Sequence, residues 1–112
     1  MRKRILIVED DEVVADHIAA LVREQLGCVP VVSTTSGQAM ARSDRIAFGF
    51  LDIKLGDGDV FRLADRFRRD GVPFVFVSAT DPADVPRELA AAPFLRKPVS
   101  QPDLLAAARR HL

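Results

Sequence analysis

Residues 48–55 read FGFLDIKL, a short apolar run that carries one aspartate, Asp52, and leads into the turn-forming residues GDGD at 56–59. An apolar run of this length bounded by glycines is typical of a buried β-strand. A carboxylate at the point where such a strand stops lies at the carboxyl edge of a sheet, where open α/β folds place their sites. Asp52 is therefore the first candidate for a functional residue.

Four other apolar runs flank this strand along the chain and alternate with helical patterns. The five predicted strands occupy residues 4–8, 29–32, 46–51, 72–77 and 93–96. The predicted helices end at Gly27, run from a cap at Ser36 to about Asp44, end at Gly71, and run from about Ser100 to His111. Strands that alternate with helices predict a parallel sheet covered on both faces. We expect a flavodoxin-like, doubly wound α/β fold with strand order 2-1-3-4-5.

Prolines mark two irregular places in this pattern. Pro30 lies inside the second strand, which favours an edge position in the sheet. The stretch 81–86 reads DPADVP, and its two prolines exclude a long helix there. Only residues 87–92 have room to be helical. We therefore expect the fourth helix to be short or irregular.

Length, charge and cysteine content limit the function classes. A chain of 112 residues is long enough for one compact domain, which we expect to span residues 1–112. Sixteen basic and sixteen acidic residues cancel, so no net charge attracts nucleic acid or an anionic membrane. No apolar run approaches the length of a signal peptide or a membrane span. The single cysteine, Cys28, cannot form an internal disulfide, and this favours a cytoplasmic location.

Polar side chains follow four of the predicted strands: Glu9 and Asp10, Asp52, Ser78, and Lys97. In the expected strand order these strands are neighbours, so their side chains should converge at one edge. Three carboxylates about 5 Å apart repel by roughly 3 kcal/mol per pair at an effective dielectric constant near 20. One lysine cannot neutralise them, whereas Mg²⁺ prefers such oxygen ligands. The pattern predicts a magnesium site.

Metal and lysine together suit phosphoryl transfer, in which catalysis is mostly positioning and charge neutralisation. Asp52 would attack in line as the nucleophile and form an acyl phosphate. Mg²⁺ would bridge Glu9, Asp10, Asp52 and one phosphoryl oxygen. Ser78 would donate a hydrogen bond to a second oxygen, and Lys97 would form an ion pair with the third.

Four motifs resemble the signatures of the response-regulator receiver domain of bacterial two-component signalling. They are VEDD at 8–11, LDIKL at 51–55, VSA at 77–79 and RKP at 96–98. Each motif alone is common, but four in this order, each at the end of a strand, are specific, and the resemblance covers the whole chain.

The resemblance implies the roles given above for Glu9, Asp10, Asp52, Ser78 and Lys97. It also implies a backbone-carbonyl Mg²⁺ ligand at Lys54, a cis bond between Lys97 and Pro98, and Phe94 as an aromatic switch that follows the movement of Ser78. The phosphoryl donor would be a histidine kinase or a histidine phosphotransfer protein.

The chain departs from the family pattern at three places. Gly56 stands where a proline is usual, and Val60 stands where a glycine is usual. The short segment between Ser78 and Lys97 is similar to that of stand-alone receivers with a reduced fourth helix, whose fourth strand reads Phe-Ala-Thr-Gly. Residues 76–79 read FVSA and lack that glycine.

Other interpretations of these residues remain open. Glu9 and Asp10 could simply cap the first helix, and Phe94 could be a plain core residue. A small aspartyl-nucleophile phosphatase would need a second aspartate two residues after Asp52, where the chain has Lys54. A degenerate receiver would bind partners without phosphorylation. We expect a phosphoacceptor that signals through protein–protein contact or acts as a phosphate sink, and that is no enzyme beyond its own phosphorylation and dephosphorylation.

Overall fold

The computed structural model describes residues 1–112, and its main feature is a five-stranded parallel sheet. The sheet strands are β1 (Arg4–Val8), β2 (Val29–Ser33), β3 (Ile46–Leu51), β6 (Phe74–Ser78) and β7 (Phe94–Arg96). Between β3 and β6 lies a separate hairpin of β4 (Lys54–Leu55) and β5 (Gly58–Asp59). The order β2-β1-β3-β6-β7 is the predicted 2-1-3-4-5 order once the hairpin is left out.

Three α-helices lie between these strands and a fourth follows the last one: α1 (Glu12–Leu26), α2 (Ser36–Ala41), α3 (Phe61–Asp70) and α4 (Gln101–Arg109). The carboxylate of Asp11 caps α1 by accepting from the N–H groups of Val13 and Val14. Gly27 ends α1 in the left-handed conformation, with φ of 63°. Ser100 caps α4, as the sequence predicts.

The second helix differs from its prediction at both ends. Its cap is Thr35 rather than Ser36, because the Thr35 hydroxyl accepts the N–H of Gln38. The helix ends at Ala41, short of the expected Asp44. Ser36 is the first residue of the helix itself, and its N–H and hydroxyl donate to Asp57 of the hairpin.

Both faces of the sheet are covered by apolar packing, as expected for a doubly wound fold. On the face of α2 and α3, Phe67 and Phe76 are central to one buried cluster. On the face of α1 and α4, Phe48 and Val22 belong to the other. The Cβ of an alanine at Gly49 would lie 3.1 Å from Phe67, so the glycine lets α3 approach β3 closely.

The segment expected to form the fourth helix contains two short 3-10 turns instead, Pro82–Asp84 and Arg87–Leu89. Proline has no backbone N–H to continue an α-helix. Leu89, 3% exposed, anchors the segment to the core. The prediction of a short or irregular fourth helix is confirmed.

The longest helix, α1, has 15 residues, and neither it nor any other helix combines the length and apolar character of a membrane span.

Candidate functional site

Main-chain hydrogen bonds of the sheet position the carboxylates of Glu9 and Asp52. β1 and β3 pair in register up to Val8 and Leu51, so the residues that follow them lie at the same edge. The N–H of Glu9 donates to the Ser33 carbonyl at 3.0 Å, and the N–H of Asp52 donates to the Val8 carbonyl at 2.9 Å. These bonds continue the ladder past the last strand residues and hold both side chains at the edge.

Glu9, Asp10 and Asp52 form one acidic cluster. One carboxylate oxygen from each lies within 4.8 Å of the other two. Glu9 is 2% exposed and Asp52 is 8% exposed, whereas Asp10 is open to solvent. Glu9 accepts the N–H of Asp11 at 3.2 Å, and Asp52 accepts the N–H of Ile53 at 2.8 Å. The cluster is therefore partly sheltered and partly accessible.

Lys97 is the cation of this cluster. Its Nζ lies 2.7 Å from Glu9 Oε2 and 3.2 Å from Asp52 Oδ2. The backbone N–H of Lys97 donates to the Ser78 carbonyl at 3.0 Å, which places the lysine just beyond the end of β7. One ammonium beside three carboxylates leaves a formal excess of two negative charges.

The pKa values of Glu9 and Lys97 reflect this crowding. The pKa of Glu9 lies above its ordinary value, mainly because burial disfavours the charged carboxylate. The hydrogen bond from Lys97 lowers this pKa, and the negative charge of Asp52 raises it further. Burial alone would lower the pKa of Lys97, but the hydrogen bond to Glu9 and the two carboxylate charges outweigh it and raise the pKa. The candidate metal ligands of the cluster are all carboxylate oxygens, and the cluster carries an excess of negative charge. Both features fit a hard divalent cation such as Mg²⁺.

Ser78 ends β6 and is almost fully buried. Its hydroxyl donates to Thr80 Oγ1 at 3.1 Å and accepts the backbone N–H of Thr80 at 3.2 Å. Both are local contacts within the turn that follows the strand. The hydroxyl is therefore partnered by Thr80, two residues farther along the chain, and not by the acidic cluster.

Lys54 begins the hairpin that follows Asp52, and its side chain is exposed. Lys54 pairs with Asp59 and Leu55 pairs with Gly58, which leaves a two-residue loop. The sequence predicts only a turn here. The available signal was the Gly56-Asp57 pair, because Gly-Asp is one of the dipeptides that connect two-residue hairpins.

Phe94 is half-buried at the start of β7. Its ring centroid lies 6.1 Å from that of Phe76, and it packs against the cluster on the face of α2 and α3. The role of Phe94 as a switch stays a prediction.

The structure brings Glu9, Asp10, Asp52 and Lys97 into one network, while Ser78 lies at the end of a neighbouring strand. The expected cis bond between Lys97 and Pro98 is present. A sheltered carboxylate beside two further carboxylates and a lysine is compatible with phosphoryl transfer to a side chain. The individual roles of these residues remain predictions.

Known proteins are similar to this chain along almost its whole length. The HemR receiver domain from Leptospira biflexa, in its non-phosphorylated form, is 27% identical, with a TM-score of 0.81 and coverage of 97% of this chain and 93% of that one. A CheY-like receiver domain protein from Methanospirillum hungatei is 26% identical, with a TM-score of 0.81 and coverage of 98% and 93%. No curated protein matches the chain.

A third solved structure, the response regulator TrrA from Thermotoga maritima in complex with Mg²⁺ and BeF, has a TM-score of 0.85 and coverage of 98% and 99%. It is only 18% identical, so this likeness shows the fold alone. The model of the family described as the response regulator receiver domain matches residues 5–109. The chain therefore belongs to the response regulator receiver domain family.

Proposed function

We propose that this receiver domain, spanning residues 1–112, accepts a phosphoryl group on Asp52 in a Mg²⁺-dependent reaction. The observation that carries the proposal is the surroundings of Asp52. It is 8% exposed, lies within 4.8 Å of two other carboxylates, and is 3.2 Å from the ammonium of Lys97. The donor would be a histidine kinase or a histidine phosphotransfer protein of two-component signalling, which is the setting of the family.

Glu9, Asp10, Asp52 and the main-chain carbonyl of Lys54 would hold the cation. Bound Mg²⁺ supplies neutralisation of the charge that the phosphoryl oxygens carry during transfer. The composition of the acidic cluster supports this assignment, because every side-chain donor in it is a carboxylate oxygen.

The transfer itself is an in-line displacement. A carboxylate oxygen of Asp52 attacks the phosphorus, the phosphorus–nitrogen bond of the donor phosphohistidine breaks, and the imidazole leaves with the bonding electron pair. Lys97 exchanges part of its contact with Glu9 and Asp52 for a phosphoryl oxygen. Ser78 gives up its hydrogen bond to Thr80 and donates to another phosphoryl oxygen.

Phosphorylation would act on the surface around β6 and β7. The new group brings about two negative charges next to Ser78 and Lys97, enough to bias a two-state segment. Phe94 would turn inward as Ser78 moves, and the two 3-10 turns between β6 and β7 would rearrange. The output would be a protein–protein contact or removal of phosphate from a kinase. We assign the protein to the cytoplasm and expect no nucleic-acid or membrane partner.

The test is exposure of the protein to acetyl phosphate with and without Mg²⁺, followed by intact-mass spectrometry. We expect one added phosphoryl group with Mg²⁺ and none in Asp52→Asn. The control variant is Asp59→Asn, which removes a nearby exposed aspartate outside the cluster and should be phosphorylated normally. Phosphorylation without Mg²⁺, or in Asp52→Asn, would overturn the proposal.

The same samples distinguish the rival functions. An aspartyl-nucleophile phosphatase would release phosphate from a generic phosphomonoester with repeated turnover, and we expect none because Lys54 stands where the general acid would be. A degenerate receiver would bind its partner equally well as wild type and as Asp52→Ala. Either result would replace the phosphoacceptor function.

A further inference from the structure

Asp57, at the tip of the hairpin, makes three hydrogen bonds to the start of α2. Its Oδ1 accepts the backbone N–H of Ser36 at 2.9 Å. Its Oδ2 accepts the Ser36 hydroxyl at 2.8 Å and the backbone N–H of Gly37 at 3.1 Å. One exposed carboxylate thus joins two elements that are twenty residues apart in the chain.

These contacts satisfy groups that α2 cannot satisfy itself. The first N–H groups of a helix have no partner within the helix. Thr35 takes the N–H of Gln38, and Asp57 takes those of Ser36 and Gly37. The cap of α2 is therefore shared between its own preceding residue and a residue of the hairpin.

Leu55, 8% exposed, packs the first strand of the hairpin into the buried cluster on the face of α2 and α3, whereas residues 56–59 beyond it are all exposed. Gly56 and Gly58 flank Asp57, and an added Cβ at either glycine would meet nothing within 4 Å. At the base, the hairpin is held by the N–H of Val60, which donates to the Ile53 carbonyl at 3.1 Å. Asp57 therefore restrains the end of a hairpin whose first residue, Lys54, lies two residues after Asp52.

We propose that Asp57 is a positioning residue, whose contact with Ser36 and Gly37 holds the hairpin so that the main chain at Lys54 is ready to complete the cation site. The inference rests on the proposed function. Residues that orient ligands without touching the cation typically change metal affinity by about tenfold to a hundredfold. Since Asp57 acts through a main-chain group at the edge of the site, we expect a smaller loss, of about threefold to tenfold.

The test measures Mg²⁺ affinity directly and does not depend on phosphorylation. The chain has no tryptophan or tyrosine, so the titration follows the amide NMR signals of residues 52–54 as MgCl₂ is added. Asp57→Asn keeps the shape of the side chain but loses its charge and one acceptor, and its Kd for Mg²⁺ should rise by about threefold to tenfold. Asp59→Asn removes the same charge from the same hairpin without touching α2. Asparagine keeps an oxygen that can accept the Phe61 N–H, which is the side-chain hydrogen bond of Asp59, so the Kd of this variant should match that of wild type.

A second measurement separates positioning from general weakening of the fold. At low Mg²⁺, Asp57→Asn should accept the phosphoryl group from acetyl phosphate more slowly than wild type. At saturating Mg²⁺ its rate should return to the wild-type rate, which a merely structural defect would not produce. Ser36→Ala should show a smaller change in the same direction, and its effect should not add to that of Asp57→Ala.

Three outcomes would overturn the inference. If the wild-type protein is phosphorylated and Asp57→Asn binds Mg²⁺ as tightly as wild type, the inference fails and the proposed function stands. An equal loss of Mg²⁺ affinity in Asp57→Asn and Asp59→Asn would assign the loss to the missing charge, and this also overturns the inference. A wild-type protein that neither binds Mg²⁺ nor accepts a phosphoryl group overturns the proposed function and the inference with it.

Discussion

Among single residues, Asp10 differs from its two neighbours in the acidic cluster. Glu9 and Asp52 both contact Lys97, whereas Asp10 forms no ion pair or side-chain hydrogen bond. Two carboxylates lie within 4.8 Å of it and no ammonium pairs with it, so we expect its charge to destabilise the fold unless a cation is bound. Functional sites commonly carry such a cost in stability.

This imbalance predicts the effect of Asp10→Asn. Without divalent cations, its free energy of unfolding should exceed that of wild type by about 1 kcal/mol, the size of one close repulsion in water. The increase in melting temperature on adding Mg²⁺ should shrink, because one ligand is lost. Urea unfolding and thermal melts followed by circular dichroism measure both.

The matched control for this variant is Asp16→Asn, which changes an exposed aspartate of α1 outside the cluster and should leave both quantities close to wild type. A less stable Asp10→Asn, or one with the full Mg²⁺ response, would contradict the assignment of Asp10 to the cation site.

Asp57 offers a second prediction for a single residue. The backbone N–H of Ser36, then the Ser36 hydroxyl and the N–H of Gly37, hold the pKa of Asp57 below its ordinary value. Because the pKa is lowered, these contacts stabilise the fold at pH values above the ordinary pKa of an aspartate. That contribution to stability is lost as the pH falls through the lowered pKa. A carboxyl-carbon NMR titration should show this, and Ser36→Ala should move the pKa upward. An Asp57 pKa at or above 3.8 would mean that the contacts are absent in solution.

The convergence of four of the candidate residues could be predicted because apolar runs mark where strands end, and the ends of parallel strands meet at one edge. Glu9, Asp10, Asp52 and Lys97 all follow from that rule. The contacts of Asp57 with Ser36 and Gly37 could not be predicted, because these partners are distant in the chain and nothing local distinguishes Asp57 from a turn aspartate.

For the secondary-structure elements, prediction depended on length. The third predicted strand, β3, has its predicted bounds. The fourth predicted strand, which is β6, begins at Phe74 rather than Val72. The strands of the hairpin have two residues each, too few for any periodic pattern. The irregular fourth segment was predictable because prolines act locally on the backbone.

The segment between β6 and β7 should be the least stable part of the sheet's surroundings. Its backbone hydrogen bonds are short-range turn contacts, such as Val85 to Pro82 and Ala92 to Leu89. We expect its amides to exchange with solvent about a hundredfold faster, or more, than those of Val75 and Val77 in β6. Hydrogen exchange followed by NMR measures this, with the amides of α1 as the helical reference. Equal protection in the segment and in β6 would contradict its role as the moving part.

At the scale of the whole molecule, balanced charge hides a local excess. The chain has sixteen acidic and sixteen basic residues, yet the cluster at one edge carries three carboxylates beside one ammonium. The topology explains how this arises, since the strand order β2-β1-β3-β6-β7 places β1, β3, β6 and β7 side by side. The fold therefore concentrates charge that composition alone does not reveal.

We propose that Asp52 is the residue that becomes phosphorylated, and chemical trapping tests this at the residue itself. Borohydride reduces an aspartyl phosphate to homoserine, so freshly phosphorylated protein is reduced and its peptides are sequenced by mass spectrometry. We predict homoserine at position 52 only in samples that received both acetyl phosphate and Mg²⁺. Homoserine at another aspartate, or an unchanged aspartate at position 52 in those samples, would show that Asp52 is not the phosphoacceptor.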